Sequence, residues 1–384
     1  MLPLEGITVV SLEQAVAAPF ATRQLADLGA RVIKVERDEG DFARGYDQTV
    51  KGMSSHFVWL NRSKESITLN LKSDNGKEAL DKILSQADVF LHNLAPGAVD
   101  RLGFAAEDLR ERYPQLIICG ISGYGTNGSY TQKKAYDLLI QCEAGLVSIT
   151  GTEEEPSKSG ISVADIAAGM YAYTGVLTAI IARYKTNQGT VMEVSMLEAL
   201  CEWMGYPMYF SEYGGRDPKR TGARHAAIYP YGPFQAKDKK MVFLAIQNER
   251  EWKQFTEKIL GQPHLAEDGR FNNNSKRVEN SEELKEIIEK ALDKLNSEQV
   301  IDILEEAKIA NAHLNTVKDV INHPQLKDRN RWGEVDSPVG KLKALIPPVT
   351  FEDFDTVMNP IPEIGEHTEE ILKEFKVENK QWTT

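Results

Sequence analysis

The sequence predicts an α/β protein with a large domain on a mostly parallel sheet and a smaller α+β domain. Two observations carry this. From residue 7 to about residue 200, short β-branched apolar runs alternate with helical patterns, as in parallel strands joined by crossover helices. Near residue 200 the character changes to a hairpin and three helical patterns. The 384 residues suffice for two or three domains.

The elements follow in order. Residues 7–12 (ITVVSL) read as the first strand. A helical stretch, 17–28, ends at Gly29, a residue suited to a helix C-terminus. Strands are expected at 31–35 (RVIKV), 66–71 (SITLNL), 88–92 (DVFLH) and 116–121 (LIICGI), with helices at 75–86 and 107–113. The apolar stretch 161–181 is long enough to span a bilayer. It is rich in Ala, Gly, Tyr and Thr and encloses Asp165, so a buried core helix is expected. A strand at 191–196 and a helix at 197–213 precede the break at Gly214-Gly215. Runs 231–234 and 241–246 then form a hairpin, with helices at 249–260, 281–295 and 297–306. Segments 333–334 and 338–348 look β-rich, and a helix at 368–375 closes the chain. The expected organisation is a large domain 1–200, a linker 201–224, a small domain 225–328 and a C-terminal segment 329–384.

Composition removes several function classes. Lys plus Arg is 45 against 57 Asp plus Glu, a net charge of −12. That disfavours nucleic acid and anionic membrane surfaces as partners. Hydrophobic residues at 41% and charged residues at 27% exclude bulk disorder. Cys119, Cys142 and Cys201 are odd in number and far apart, which fits a reducing compartment. The N-terminus has no basic region leading into an apolar run, so a cytoplasmic protein is expected. The turn after the first strand, EQAVAAPF (13–20), lacks the GxGxxG fingerprint. No P-loop, GxSxG elbow or HExxH spacing occurs, so no metal and no prosthetic group is expected.

Three features could carry chemistry. Asp165 places a carboxylate inside an apolar stretch, which is costly without a partner. It is either a cap or buried ion-pair partner, or a nucleophile kept ionised by a helix N-terminus. The loop Ser122-Gly-Tyr-Gly-Thr-Asn-Gly128 lets backbone approach a ligand, or is simply a long turn. Arg220, Arg224 and His225 could clamp a carboxylate, or form a solvated linker. The run Glu153-Glu-Glu155 reads as a solvated loop.

The chain resembles class III coenzyme A transferases, the CaiB/BaiF family. The resemblance is carried by residues 4–37, LNRSKESITLNLK (60–72), LHNLAPGAVDRLGF (91–104), SGYGTNGSY (122–130), KAYDLL (134–139), ADIAAGMYAYTGVL (164–177) and GEHT (365–368). It implies a Rossmann-like large domain, a small domain, a C-terminal segment returning to the large one, and a homodimer of interlocked rings. It implies Asp165 as the catalytic carboxylate. It also implies acyl-CoA contacts at Ala15, Val16, Arg37, Leu69, Lys72, Asn93, Leu94, Arg101, Lys134, Tyr136 and Met196. Coenzyme A and a small carboxylic acid would then be the substrates.

The resemblance extends to α-methylacyl-CoA racemases, whose catalytic His falls on Tyr136 here. A phenol is a poor group for exchanging an α-proton, so CoA transfer is the expected reaction. A non-catalytic CoA-binding protein is the remaining alternative, and the intact motif around Asp165 weighs against it. Asp137 is expected to start a helix rather than to serve as a second acid. No tetraglycine loop occurs, which disfavours formyl-CoA and oxalate chemistry. The stretch 221–234 looks like the branch that pairs succinyl-CoA with citramalate, mesaconate or itaconate. The second carboxylate of such an acid needs a cation, and Arg220, Arg224 and His225 are the candidates, with Tyr46 and Tyr229 as neighbours.

Overall fold

In the computed structural model, which describes residues 1–377, six strands form one parallel sheet. They are β1 (Thr8–Leu12), β2 (Arg31–Glu36), β3 (Lys64–Thr68), β4 (Val89–His92), β5 (Ile117–Ser122) and β6 (Val191–Ser195). The spatial order is β3-β2-β1-β4-β5-β6, and every pairing is parallel. The order reverses between β1 and β4, which opens a crevice at the carboxyl ends of the strands.

The helices around the sheet are α1 (Ala17–Asp27), α2 (Ser55–Leu60), α3 (Asp74–Leu84), α4 (Ala98–Arg101), α5 (Ala106–Arg112) and α6 (Asp137–Glu143). A single turn, α7 (Leu146–Ile149), precedes the long α8 (Val163–Thr186), then α9 (Met196–Trp203) and α10 (Gly205–Gly214). Strand residues alternate between two cores. Val9, Val32, Leu91 and Cys119 pack with α1, α8 and α9. Val10, Ile33, Phe90 and Ile118 pack with α3, α5 and the last helix, Thr368–Glu374. Burying both faces is what a parallel sheet requires.

The apolar stretch around Asp165 is α8, which by length and composition alone could cross a membrane. In the fold, its Ala164, Ala167, Ala168, Ala172 and Val176 are buried in the core it shares with α1. Gly169 permits the contact: a Cβ there would lie 2.6 Å from the Ala17 carbonyl oxygen and 3.0 Å from the Phe20 ring. A backbone oxygen has little room to move. Gly169→Ala is therefore expected to cost about 1–3 kcal/mol by overpacking, visible as a lower urea midpoint.

The chain divides into two compact units. The first holds residues 1–146, 159–206 and the described chain from 325 onward. The second holds 147–158 and 207–324. The second unit has an antiparallel sheet of β7 (Tyr231–Gln235), β8 (Met241–Ala245) and β9 (Ala310–His313), in that order. Its helices α11 (Glu249–Gln254), α12 (Asn274–Glu279), α13 (Ser281–Leu292) and α14 (Ser297–Glu306) surround a core of Trp252, Phe255, Ile288 and Leu304.

Four details differ from expectation. Strand β3 starts at Lys64 rather than 66, because Lys64 is buried against a carboxylate. The helix expected over 197–213 is two helices that meet at Met204 and Gly205, with Pro207 in the first turn of the second, where proline is tolerated. The helix expected over 249–260 passes into a π-helical turn at Phe255–Ile259. Strand β9 (ANAH) was not expected: it is short, mostly exposed, without β-branched residues, and among the described residues pairs only with β8.

Candidate active site

A cavity of about 420 Å³ opens at the carboxyl ends of β1 to β3. Its lining includes Gln14, Arg37, Leu69, Lys72, Leu94 and Leu102. Four residues expected to contact acyl-CoA, from three separate segments, thus meet in one place: Arg37, Leu69, Lys72 and Leu94. Leu69 is buried, whereas Arg37 and Lys72 are exposed cations. Exposed cations at a cavity mouth suit phosphate groups.

The other expected contacts occupy the surrounding loops. Ala15 sits in the β1–α1 turn with φ of 62°, a costly conformation for a non-glycine residue. Its N–H donates to Asp41 Oδ1 at 3.1 Å. Val16 is the buried N-cap of α1, and no side chain caps that helix. The side chain of Asn93 is committed to the Gln14 backbone, accepting from its N–H (2.9 Å) and donating to its carbonyl (2.8 Å). It ties together the loops after β1 and β4. Arg101 is exposed in the last turn of α4. Lys134 is exposed, and Tyr136 is 69% exposed at the start of α6. Gly123, after β5, has space for no Cβ beside Ala135 (2.2 Å), which holds this segment near the strand end. Met196 is the buried first residue of α9.

A buried ionic network supports the cavity floor and has no counterpart in the sequence reading. Glu13 Oε1 accepts from Lys64 Nζ (2.6 Å) and Lys34 Nζ (3.4 Å), and its Oε2 from Thr22 Oγ1 (2.6 Å). Lys34 also donates to Asp41 Oδ2 at 2.7 Å. The side chains of Glu13, Lys34, Asp41 and Lys64 are fully buried. Burial would raise the Glu13 pKa, but Lys64 and Lys34 outweigh it and hold the group down to about 2. The signal was present: RVIKV and SKESIT carry lysines inside buried parallel strands, where apolar residues are the norm.

Asp165 lies in the first turn of α8. The N–H groups of Ala164 and Asp165 donate to Asp137 Oδ1 at 2.8 and 3.3 Å. Asp137 thus caps the helix of Asp165 while starting α6. Its Oδ2 accepts from buried Gln141 (2.7 Å), whose Oε1 accepts from the Ser159 N–H (2.9 Å). The Asp165 carboxylate has no hydrogen bond or ion pair among the described residues. It is neither a cap nor a salt-bridge partner. The expectation that a helix N-terminus keeps it readily ionised is corrected: burial, then the charge of Asp137, push its pKa up to about 7. The helix end is already answered by Asp137. Tyr46 feels the charges of Asp165 and of Asp41: burial raises its phenol to about 12, with Asp41, Asp165 and Tyr136 adding to the effect.

In the second unit, Arg220 spends its guanidinium on the carbonyls of Thr152 (2.8 Å), Glu153 (2.8 Å) and Ser148 (3.3 Å). It is a strut fixing the 148–153 segment. Arg224 pairs with exposed Glu282 at 2.7 Å. His225 stacks on Tyr231 (5.1 Å, 12°) and accepts at Nδ1 from the Ala227 N–H. Tyr229 is buried, and its hydroxyl has no hydrogen-bond partner among the described residues.

The chain is similar over nearly its whole length to known proteins. Residues 4–368 match the model of a family described as CoA-transferase family III. A human succinyl-CoA:glutarate CoA-transferase is 33% identical over 379 residues, covering 97% of this chain and 86% of the relative. An acetyl-CoA:oxalate CoA-transferase of Acetobacter aceti is 35% identical over 379 residues, covering 97% and 96%. The crystal structure of a CaiB/BaiF family protein from Brucella suis superposes with a TM-score of 0.86 at 31% identity, covering 97% of this chain and 99% of that one.

Proposed function

The chain belongs to CoA-transferase family III, and from that membership we propose that it moves CoA from an acyl-CoA donor, succinyl-CoA, to a short dicarboxylic acid, with Asp165 as nucleophile. The carrying observation is Asp165 itself. It is a half-buried carboxylate with no side-chain partner among the described residues, in the first turn of a helix packed against α1. A carboxylate left unanswered by cations keeps its lone pairs for a carbonyl carbon.

The steps balance without ATP. Asp165 attacks the donor thioester carbonyl and expels CoA thiolate, leaving a mixed anhydride. The thiolate attacks the aspartyl carbonyl, releasing the donor acid and forming an aspartyl-CoA thioester. The acceptor carboxylate attacks that carbonyl, giving a second anhydride and free thiolate. The thiolate then attacks the acceptor-derived carbonyl, and Asp165 is restored. Arg37 and Lys72 would hold phosphates of CoA, with the uncapped start of α1 at Val16 and Ala17 adding backbone N–H donors.

Glutarate and oxalate, in the relatives' names, support a dicarboxylate acceptor. The oxalate relative also bears on the expectation that a missing tetraglycine loop disfavours that acid, so oxalate belongs in the panel with mesaconate, citramalate and itaconate. Two chains would interlock as a homodimer in the cytoplasm. Exposed Ile181, Tyr184 and Trp203 support a second chain as cover.

The test is mass spectrometry after incubation with succinyl-CoA. A CoA adduct is expected on the peptide that contains Asp165. No adduct and no turnover across the acid panel would leave a non-catalytic binder.

Asp137 gives a finer prediction. Asp137→Asn keeps an oxygen to cap α8 but removes the charge beside Asp165. The pKa of Asp165 should fall, so the acid limb of kcat/KM should move to lower pH. An unmoved limb would mean that Asp137 acts on Asp165 through structure alone.

A further inference from the structure

The first unit has a second cavity, of about 270 Å³, that shares no lining residue with the first. Arg23, Arg62 and Lys343 line it together with Trp59, Leu342 and Ile346, and no Asp or Glu does. The two arginines share one carboxylate. Arg23 Nη1 donates to Asp27 Oδ2 at 2.5 Å. Arg62 grips the same group with Nε (2.8 Å) and Nη2 (2.8 Å), and sends Nη1 to the Leu345 carbonyl (3.3 Å). The two side chains are only 9% and 7% exposed. The Nε–H of Arg23 is buried without an acceptor among the described residues. Two largely desolvated cations thus face one anion, leaving one positive charge in excess beside an open cavity. Such an excess is costly until an anion answers it.

We propose that this cavity binds a short aliphatic carboxylate, with its carboxylate on the Arg23 guanidinium and its chain against Trp59 and Leu342. One excess charge calls for one carboxylate, and a guanidinium edge matches its two oxygens. The walls are apolar apart from the cations and Ser55, which suits a hydrocarbon tail. The volume lies below the roughly 300 Å³ at which drug-sized sites begin, so the ligand is small. This site is separate from the proposed nucleophile and does not depend on that assignment.

The test uses the full-length protein and 4-bromopent-4-enoate, a short acid whose vinylic bromide is not displaced by its own carboxylate. Crystals soaked in it should show anomalous bromine density beside Trp59. In solution, butyrate but not 1-butanol should raise the melting temperature. Arg23→Gln should weaken butyrate binding at least tenfold while CoA transfer stays unchanged. Ala344→Phe fills the cavity while keeping both arginines and should abolish the same response. The proposal is overturned if the bromine appears only elsewhere, if residues of a second chain fill the cavity, or if both variants keep the wild-type butyrate response.

Discussion

Asp165→Asn should lose CoA transfer by at least about 10³-fold and yet melt higher than the wild type at pH 8. The activity loss follows from removing the atom that forms the anhydride and the thioester. The stability gain follows from linkage. The carboxyl titrates near its ordinary 3.8 in the unfolded chain and at about 7 in the fold. Between those values the folded state holds a proton that the unfolded state has released. Stability therefore falls as pH rises from about 4 to 7 and stays lowered above. A shift of about 3 units corresponds to about 4 kcal/mol, which the neutral amide recovers at pH 8 and not at pH 4. In the wild type the same titration should depress kcat/KM below pH 7. Thermal melts of both proteins at pH 4 and 8, beside a pH–rate profile, check all of this. Equal melting temperatures at pH 8 would mean that Asp165 is not held in an unfavourable ionised state. Near-wild-type transfer by the variant would remove it as nucleophile.

The sheet was legible because alternation in sequence is also its geometry. Runs such as ITVVSL and DVFLH send successive residues to two apolar cores, Val9 to one and Val10 to the other. Ends were less legible where a charge is buried in a pair, as at Lys64, since a lysine reads as solvent-facing until its partner is known. Asp165 stood out as a carboxylate in an apolar run, but its environment did not. Asp137, 28 residues earlier, caps its helix, and no local spacing announces that contact. The gathering of Arg37, Leu69, Lys72 and Leu94 depends on three βα turns ending on one side of the sheet. Family likeness could anticipate it, whereas periodicity could not. The basic triad shows the converse. Arg220, Arg224 and His225 lie within six residues of sequence, but each has a different partner.

Glu13→Gln should destabilise the protein by about 3–5 kcal/mol, the usual cost of removing one partner from a buried ion pair. The reason lies in the count of charges. Lys34 and Lys64 face Glu13 and Asp41 with no water between, so the network is neutral only while Glu13 is ionised. The amide can still accept from Thr22 or a lysine, but it offers no charge, and two buried ammonium groups are left with one carboxylate. Adding Lys64→Met to Glu13→Gln removes the surplus cation and should recover a large part of the loss, which a simple packing defect would not. The pH dependence has a definite sign. Glu13 titrates at about 2 in the fold against an ordinary 4.5. Its contribution is therefore complete above pH 4.5 and lost as pH falls toward 2. Wild type and variant should approach each other in stability as pH falls from 4.5 toward 2 and differ fully above 4.5, as read by urea titrations across that range. The effect should reach the site as well. Asp41, held by Lys34, accepts from the N–H groups of Ala15 and Ala43, and so fixes the strained turn at the start of α1. A loosened network should raise KM for the acyl-CoA even in variant molecules that remain folded.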